Sequence, residues 1–336
     1  MAMFGVLAWS PLAQAQDLVL DVDEGKASKL GIDVAPLEQE LEAQAAEALN
    51  LGDPQAFIDS MANASGIASK GMGVDYASNI KTFVIGAGFG SAAHSSGFRF
   101  NRSDEYLPPG GFAFMISAMV GVNLGLLDGG ADTFLDRVRI YANGMSIAMP
   151  GDREFGGEMY NVGVHAQVKI VPEMGNKVVE WGGFDLTSGW ERAQYRLELT
   201  QAVPIAAPLQ GNVEATWTAD GVYDIVSTTD AIPVELSTNV RLAVITVFLG
   251  GGVDVNTSKA TSEASLTGPI DATAGGRTER LGTATLTVGY DGVGDPVVPR
   301  GFGGVQINLA LFKIYGQLNA GANGSVGGHL GARVAM

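Results

Sequence analysis

The residues of this chain that could do chemistry recur at every second position between apolar ones. From Met159 to Val171, Tyr160, Val162, Val164, Ala166, Val168 and Ile170 alternate with Asn161, Gly163, His165, Gln167 and Lys169. Arg137, Arg139, Arg196, Glu198, Glu214, Asp220, Asp224, Glu235, Arg241, His329 and Arg333 are set among apolar neighbours in the same way. A period of two gathers such side chains on one face of a β-strand. A face of mixed charge suits either a salt-bridge network that closes an enclosed space or the lining of a polar channel. The network is the better reading, because unpaired charges in a narrow space are costly.

Other chemistries fit less well. His165 and His329 would need a third ligand to hold a metal, and they fall on strands far apart in the chain, so hydrogen-bonded histidines are the better reading. VLDVDEGKASKLGID opens like a calcium loop with Asp21, Asp23 and Gly25, but Lys26 stands where glycine is required and Ile32 where a bidentate glutamate is required. GAGFG at Gly86–Gly90 and LGGGVD at Leu249–Asp254 lack the spacing of a phosphate loop. No Gly-x-Ser-x-Gly elbow occurs. The expectation is a protein that is not an enzyme, with no catalytic residues, no metal and no cofactor.

The elements that must position these residues are strands. From Lys81 onward short alternating segments separated by turn residues number about fourteen, the pattern of repeated hairpins. GWERA, STTDA and NTS are expected as turns on one side of the sheet, and IAAPLQ and DATAGG on the other. The preceding stretch is helical: Leu37, Leu41, Ala45 and Leu49 are spaced four apart, and Asp53 with Pro54 marks a helix start. MAMFGVLAWSPLAQAQ carries an apolar run and the small-x-small Ala13-Gln14-Ala15 of a secretory signal. The expected organisation is a signal remnant at 1–15, a helical plug or periplasmic segment at 16–79 and a barrel at 80–336.

Periodicity does not say which medium the apolar faces meet. Only 17% of residues are charged against 46% hydrophobic, with 47 glycines among 336 residues, and the polar strand positions are mostly Thr, Ser, Asn, Gln and Gly. A water-facing sheet of this size normally carries many Lys and Glu. With the secretory start, this favours an all-β, transmembrane antiparallel up-and-down barrel, apolar outside and polar inside. Tyr160, Trp181, Trp190, Tyr223 and Tyr290 fit interfacial girdles, whereas Trp217 falls mid-strand. The net charge of −16 argues against nucleic acid.

The secretory start, the helical segment and the strand count resemble Gram-negative outer-membrane barrels of the long-chain fatty-acid and hydrocarbon transporter family. The resemblance implies a plug inside the barrel and sideways exit of hydrophobic ligands through a gap in the wall. No specific motif carries it. The Asn-Pro-Ala run of that family is missing, and Met336 stands where an aromatic residue is usual. The expected function is passive transport of small hydrophobic molecules across the outer membrane. The alternatives are a structural or assembly barrel that anchors protein partners, and a porin-like channel. Expected partners are lipopolysaccharide and phospholipid, with a small hydrophobic ligand and a protein partner as further options.

Overall fold

The computed structural model describes residues 17–48, 53–95, 110–128, 133–152, 154–176, 178–209 and 213–336. The signal-like stretch 1–15 and Leu49 lie outside them. The strands are β1 (Asp17–Val22), β2 (Phe83–Ser95), β3 (Gly110–Asn123), β4 (Val138–Asp152), β5 (Phe155–Val171), β6 (Met174–Gly175), β7 (Val179–Leu209), β8 (Val213–Leu242), β9 (Ile245–Ala274), β10 (Arg277–Val293), β11 (Val297–Leu309), β12 (Phe312–Gly321) and β13 (Ser325–Ala335). Three helices, α1 (Glu24–Lys29), α2 (Val34–Ala48) and α3 (Pro54–Ala68), precede β2.

The thirteen strands form one antiparallel sheet. Ten of them close a ring in the order β2, β3, β4, β5, β7, β8, β9, β11, β12 and β13, which returns to β2 through pairs such as Leu330 with Phe89. On the outer face of the ring stand Val164 and Ile170, Ile232, Val234 and Leu236, Val247 and Leu249, Ile314 and Leu318, all exposed. The inner face of the same strands carries Asn161, His165, Gln167, Lys169, Glu235, Asn239, Gln317 and Asn319, all buried. A closed wall that is greasy outside and polar inside is the solution a bilayer imposes, because lipid can satisfy neither an open edge nor a polar side chain. The chain is a membrane-spanning β-barrel.

β7, β8 and β9 are 31, 30 and 30 residues long and run straight through GWERA, STTDA and NTS, which are strand interior instead of turns. Ser227, Thr228 and Thr229 keep their partners on both neighbours, so nothing releases the chain to reverse. The sheet β7–β8–β9–β10–β1 therefore projects beyond the ring. Residues 205–209 of IAAPLQ and the DATAGG segment stand at its far end, opposite the side expected for them, while Gln210 lies outside the described residues. The tight turns at Ala243–Val244 and Ala310–Leu311 belong to the other end, which short turns mark as periplasmic.

The polarity of the wall reverses along β8 with no change in which side chains point inward. Above the ring Val213, Ala215, Trp217 and Ala219 are buried on the inner face, while Glu214, Thr218 and Asp220 are exposed outside. Water replaces lipid there, and the inner face is covered by α1 and α2. Leu37, Leu41 and Ala45 pack with Ile205, Trp217, Leu266, Ile270, Leu281 and Leu286 in one buried cluster. Trp217 is thus a core residue of this cap, and Tyr223 and Tyr290 are partly buried against the cluster around α3 instead of forming a girdle. Truncating Leu41 to alanine is expected to destabilise the cap by about 2 to 5 kcal/mol. Hydrogen exchange should show faster exchange in α2 and β1 with the ring unchanged.

α3 starts as the sequence predicts, with Asp53 Oδ1 accepting from Ala56 N at 3.0 Å and Pro54 in the first turn. It fills the outer mouth of the ring. Gln55, Asp59 and Asn63, four apart on one face, bond the main chain at Asp291, Val293 and Asp295, where β10 gives way to β11. The backbones touch: a Cβ on Gly111 would lie 2.2 Å from Met61 N, and one on Gly292 2.7 Å from the carbonyl carbon of Ile58. From Ser69 the chain descends through the lumen, buried as far as Ser78, to reach the start of β2.

Candidate functional site

The inner wall and the descending segment meet through charge. Among the described residues six cations (Lys70, Arg139, Lys169, Arg300, Lys313, Arg333) and five carboxylates (Asp75, Asp185, Glu191, Glu235, Asp254) are buried. The near balance means that the strong net negative charge of the chain lies outside the lumen. Lys70 Nζ lies 2.9 Å from Glu191 Oε2, and His165 Nε2 lies 3.4 Å from Glu191 Oε1. Arg300 binds Glu235, donates from Nε to Asp254 Oδ2 at 2.9 Å and from Nη1 to Asn319 Oδ1 at 2.8 Å. Tyr76 donates to Glu235 Oε2 at 2.6 Å. Lower down Arg333 pairs with Asp75 at 2.9 Å and stacks over the Tyr315 ring. Nearer the periplasmic end Arg139 and Lys169 share Asp185 at 3.1 and 3.3 Å.

Of the residues singled out by the sequence, Arg139, His165, Lys169, Glu235, His329 and Arg333 are buried on the inner face and Arg241 is half-buried near its lower end. His165 and His329 hold separate partners: His329 Nε2 is 3.0 Å from Ala68 O and Nδ1 is 3.2 Å from Asn319 Nδ2. The other six lie elsewhere. Arg137 is exposed in the 3-10 turn Phe134–Arg137 between β3 and β4. Arg196, Glu198, Glu214, Asp220 and Asp224 stand on the outer face, where Arg196 forks onto Asp224 at 3.0 and 3.1 Å. Their strands have left the bilayer at that height, so a charge faces water there and not a lumen.

Several lumen residues carry no sequence signal strong enough to find them. Arg300 sits in GDPVVPRG, which reads as a loop, and Lys70, Asp75 and Tyr76 belong to an extended segment with no periodicity at all. Asp185 and Glu191 do obey the alternation of β7, and the same reasoning applied there would have found them.

The ring is split at one place. β3 and β4 pair only over Ala118–Asn123 and Arg139–Gly144. Above that level Gly110–Ser117 and Met145–Asp152 share no ladder, although β2 holds β3 as far as Gly110 and β5 holds β4 as far as Asp152. β3 turns inward, so that Phe114 on its outer face meets Tyr195 on the inner face of β7, ring centroids 5.3 Å apart and edge-on at 73°. At the branch point side chains take over the lost ladder. Asn161 Nδ2 donates to the main-chain O of Ile116, Ser117 Oγ donates to Asn161 Oδ1 at 2.7 Å, and Asn143 Nδ2 donates to Ser117 Oγ at 3.2 Å. Phe114, Ile116, Ile147, Met159, Tyr195 and Leu197 line the split in one apolar cluster, with Met61, Met72 and Met115 beside it.

The sequence pattern of the Lsa36-like family matches residues 13–336. The chain belongs to the Lsa36-like family. No curated protein matches it. Solved structures similar to this Lsa36-like chain include the toluene transporter TbuX of Ralstonia pickettii, at 9% identity over 85% of this chain and 94% of that one with a TM-score of 0.24. Others are the outer membrane protein Omp33 of Acinetobacter baumannii (8% identity, 77% and 100% covered, TM-score 0.25) and a FadL homologue of Pseudomonas aeruginosa (9%, 83% and 99%, TM-score 0.27). These likenesses are too distant to carry an activity from one chain to the other. What the Lsa36-like barrel can do rests on its own split wall, its filled lumen and its mouths.

Proposed function

We propose that the barrel passes small hydrophobic molecules across the outer membrane, with residues 54–80 acting as a plug and the split between β3 and β4 as a side door. The observation that carries this reading is the missing ladder between Gly110–Ser117 and Met145–Asp152, together with its apolar lining. A backbone edge left unpaired where the wall meets the outer boundary of the membrane is costly unless it is buried in protein or lines a cavity. Methionine and aromatic side chains give the lining a surface that can repack around molecules of different shape. The central lumen is crowded with paired charges and offers a greasy solute no such surface, which supports a route along the wall. The same crowding disfavours an open diffusion channel.

Host cells making the protein should take up an apolar fluorescent probe such as N-phenylnaphthylamine faster than cells with empty vector. Ile147→Trp, which fills the split from the inner face of β4, should slow that uptake about tenfold, equivalent to about 1.4 kcal/mol. Heat-dependent gel migration would confirm that the barrel still folds. Equal uptake by cells with and without the protein would remove the transport reading. A second reading, a barrel that anchors a partner, draws support from the projecting sheet β7–β8–β9–β10–β1. It would be favoured if deleting the cap left uptake unchanged and abolished capture of a defined partner.

A further inference from the structure

The periplasmic mouth contains two joined cavities of about 620 and 500 Å³, which share Asn79, Lys81 and Glu173 on their walls. We propose that this mouth binds an oxyanion, a phosphate group either free in solution or carried on a lipid head. Arg139 and Lys169 line the first cavity, Arg241 and Lys313 the second. The carboxylates nearby do not balance them. Asp185 serves both Arg139 and Lys169, Glu173 reaches Lys169 only at 3.9 Å, and Glu180 is held by Arg241 at 3.4 Å. Asp136, also on the wall, turns one oxygen back to the main-chain N–H of Thr133.

Lys313 is the decisive group. It is 8% exposed, has no carboxylate within ion-pair distance among the described residues, and donates only to neutral acceptors, Asn308 Oδ1 at 3.4 Å and Ala310 O at 3.3 Å. Asp75, already paired with Arg333, is the acid that attracts it, and it does so from beyond ion-pair distance, so the place for a closer counter-charge is the cavity it lines. Lys81, exposed on the shared wall and free of ion pairs among the described residues, adds a further positive charge. In a chain of net charge −16 a positive mouth is a local construction, since the rest of the surface repels anions.

Titration calorimetry of the full-length protein in neutral phosphatidylcholine vesicles, with inorganic phosphate as the probe, should give a saturable signal. Lys313→Met should weaken binding about tenfold or more, and Lys81→Ala should weaken it less, with folding of both variants confirmed by heat-dependent gel migration. If the group is a lipid head, wild-type protein in phosphatidylglycerol vesicles will show the phosphate signal competed away. If it is free phosphate, the signal will persist there. No saturable signal in neutral vesicles, or binding by Lys313→Met equal to wild type, would overturn the proposal.

Discussion

Arg300→Met is expected to loosen the lumen segment and turn a silent barrel into one that conducts ions across a planar bilayer. Arg300 joins two carboxylates of different strands of the ring, Glu235 on β8 and Asp254 on β9, and through Glu235 it reaches Tyr76 of the segment that descends the lumen. Methionine fills much of the same volume but leaves both acids without their main counter-ion. Removing one partner of a buried pair costs about 3 to 5 kcal/mol, because the remaining charge is stranded away from water. Among the described residues the segment is the wall of that space that no strand ladder holds, since the ring is laddered on all sides except above the β3–β4 branch. Water and small cations should then enter beside Tyr76 and Lys70 to solvate the acids. Adding Glu235→Gln and Asp254→Asn to the same variant removes the stranded charge and should restore most of the silence. A folded Arg300→Met barrel that stays closed would show that packing, and not this ion pair, holds the segment in place.

The part of the architecture that was legible in the sequence is the part where each strand meets one medium on each face. In β5, Tyr160 to Ile170 outside and Asn161 to Lys169 inside follow directly from alternation, and so do the apolar residues of β12 and β13. The sequence also marks the start of α3 through Asp53 and Pro54, because capping is local chemistry. What escaped is whatever depends on two media along one strand. In β8 the buried apolar residues are odd-numbered up to Ile225 and the exposed ones are even-numbered from Ile232. Such a change of parity invites a turn at STTDA, since a turn resets which face each residue occupies. Here the strand continues and the surroundings change instead: protein inside and water outside above, polar lumen inside and lipid outside below. The alternation rule that puts Glu235 on the inner face also puts Glu214, Asp220 and Asp224 there, whereas these three stand on the outer face of β8 and Glu235 is buried. The split between β3 and β4 left no trace in periodicity, because both strands keep their alternation and only the ladder between them is lost.

That two-media reading of β8 makes the second large prediction. Leu236→Arg places a guanidinium on the outer face of the ring, and Thr218→Arg places the same group on the same face of the same strand, above it. Leu236 is 45% exposed with apolar neighbours at Val234 and Val240, so its surroundings are acyl chains. A charge there costs about 2 to 4 kcal/mol near the midplane. Thr218 is also exposed, but it stands between Glu214 and Asp220 where the opposite face is sealed by α2. An arginine at that position stays hydrated next to two acids, and a change within about 0.5 kcal/mol is expected for such a surface substitution. Guanidinium unfolding in phospholipid vesicles measures both. A large penalty at 236 with none at 218 places the membrane boundary between them, in the stretch where Val226, Thr228 and Asp230 successively face outward. Equal penalties would mean that lipid covers the projecting sheet as well, and the cap of α1 and α2 would then have to be a lumen structure. Equal tolerance would mean that neither position faces lipid, and the barrel would lose its membrane.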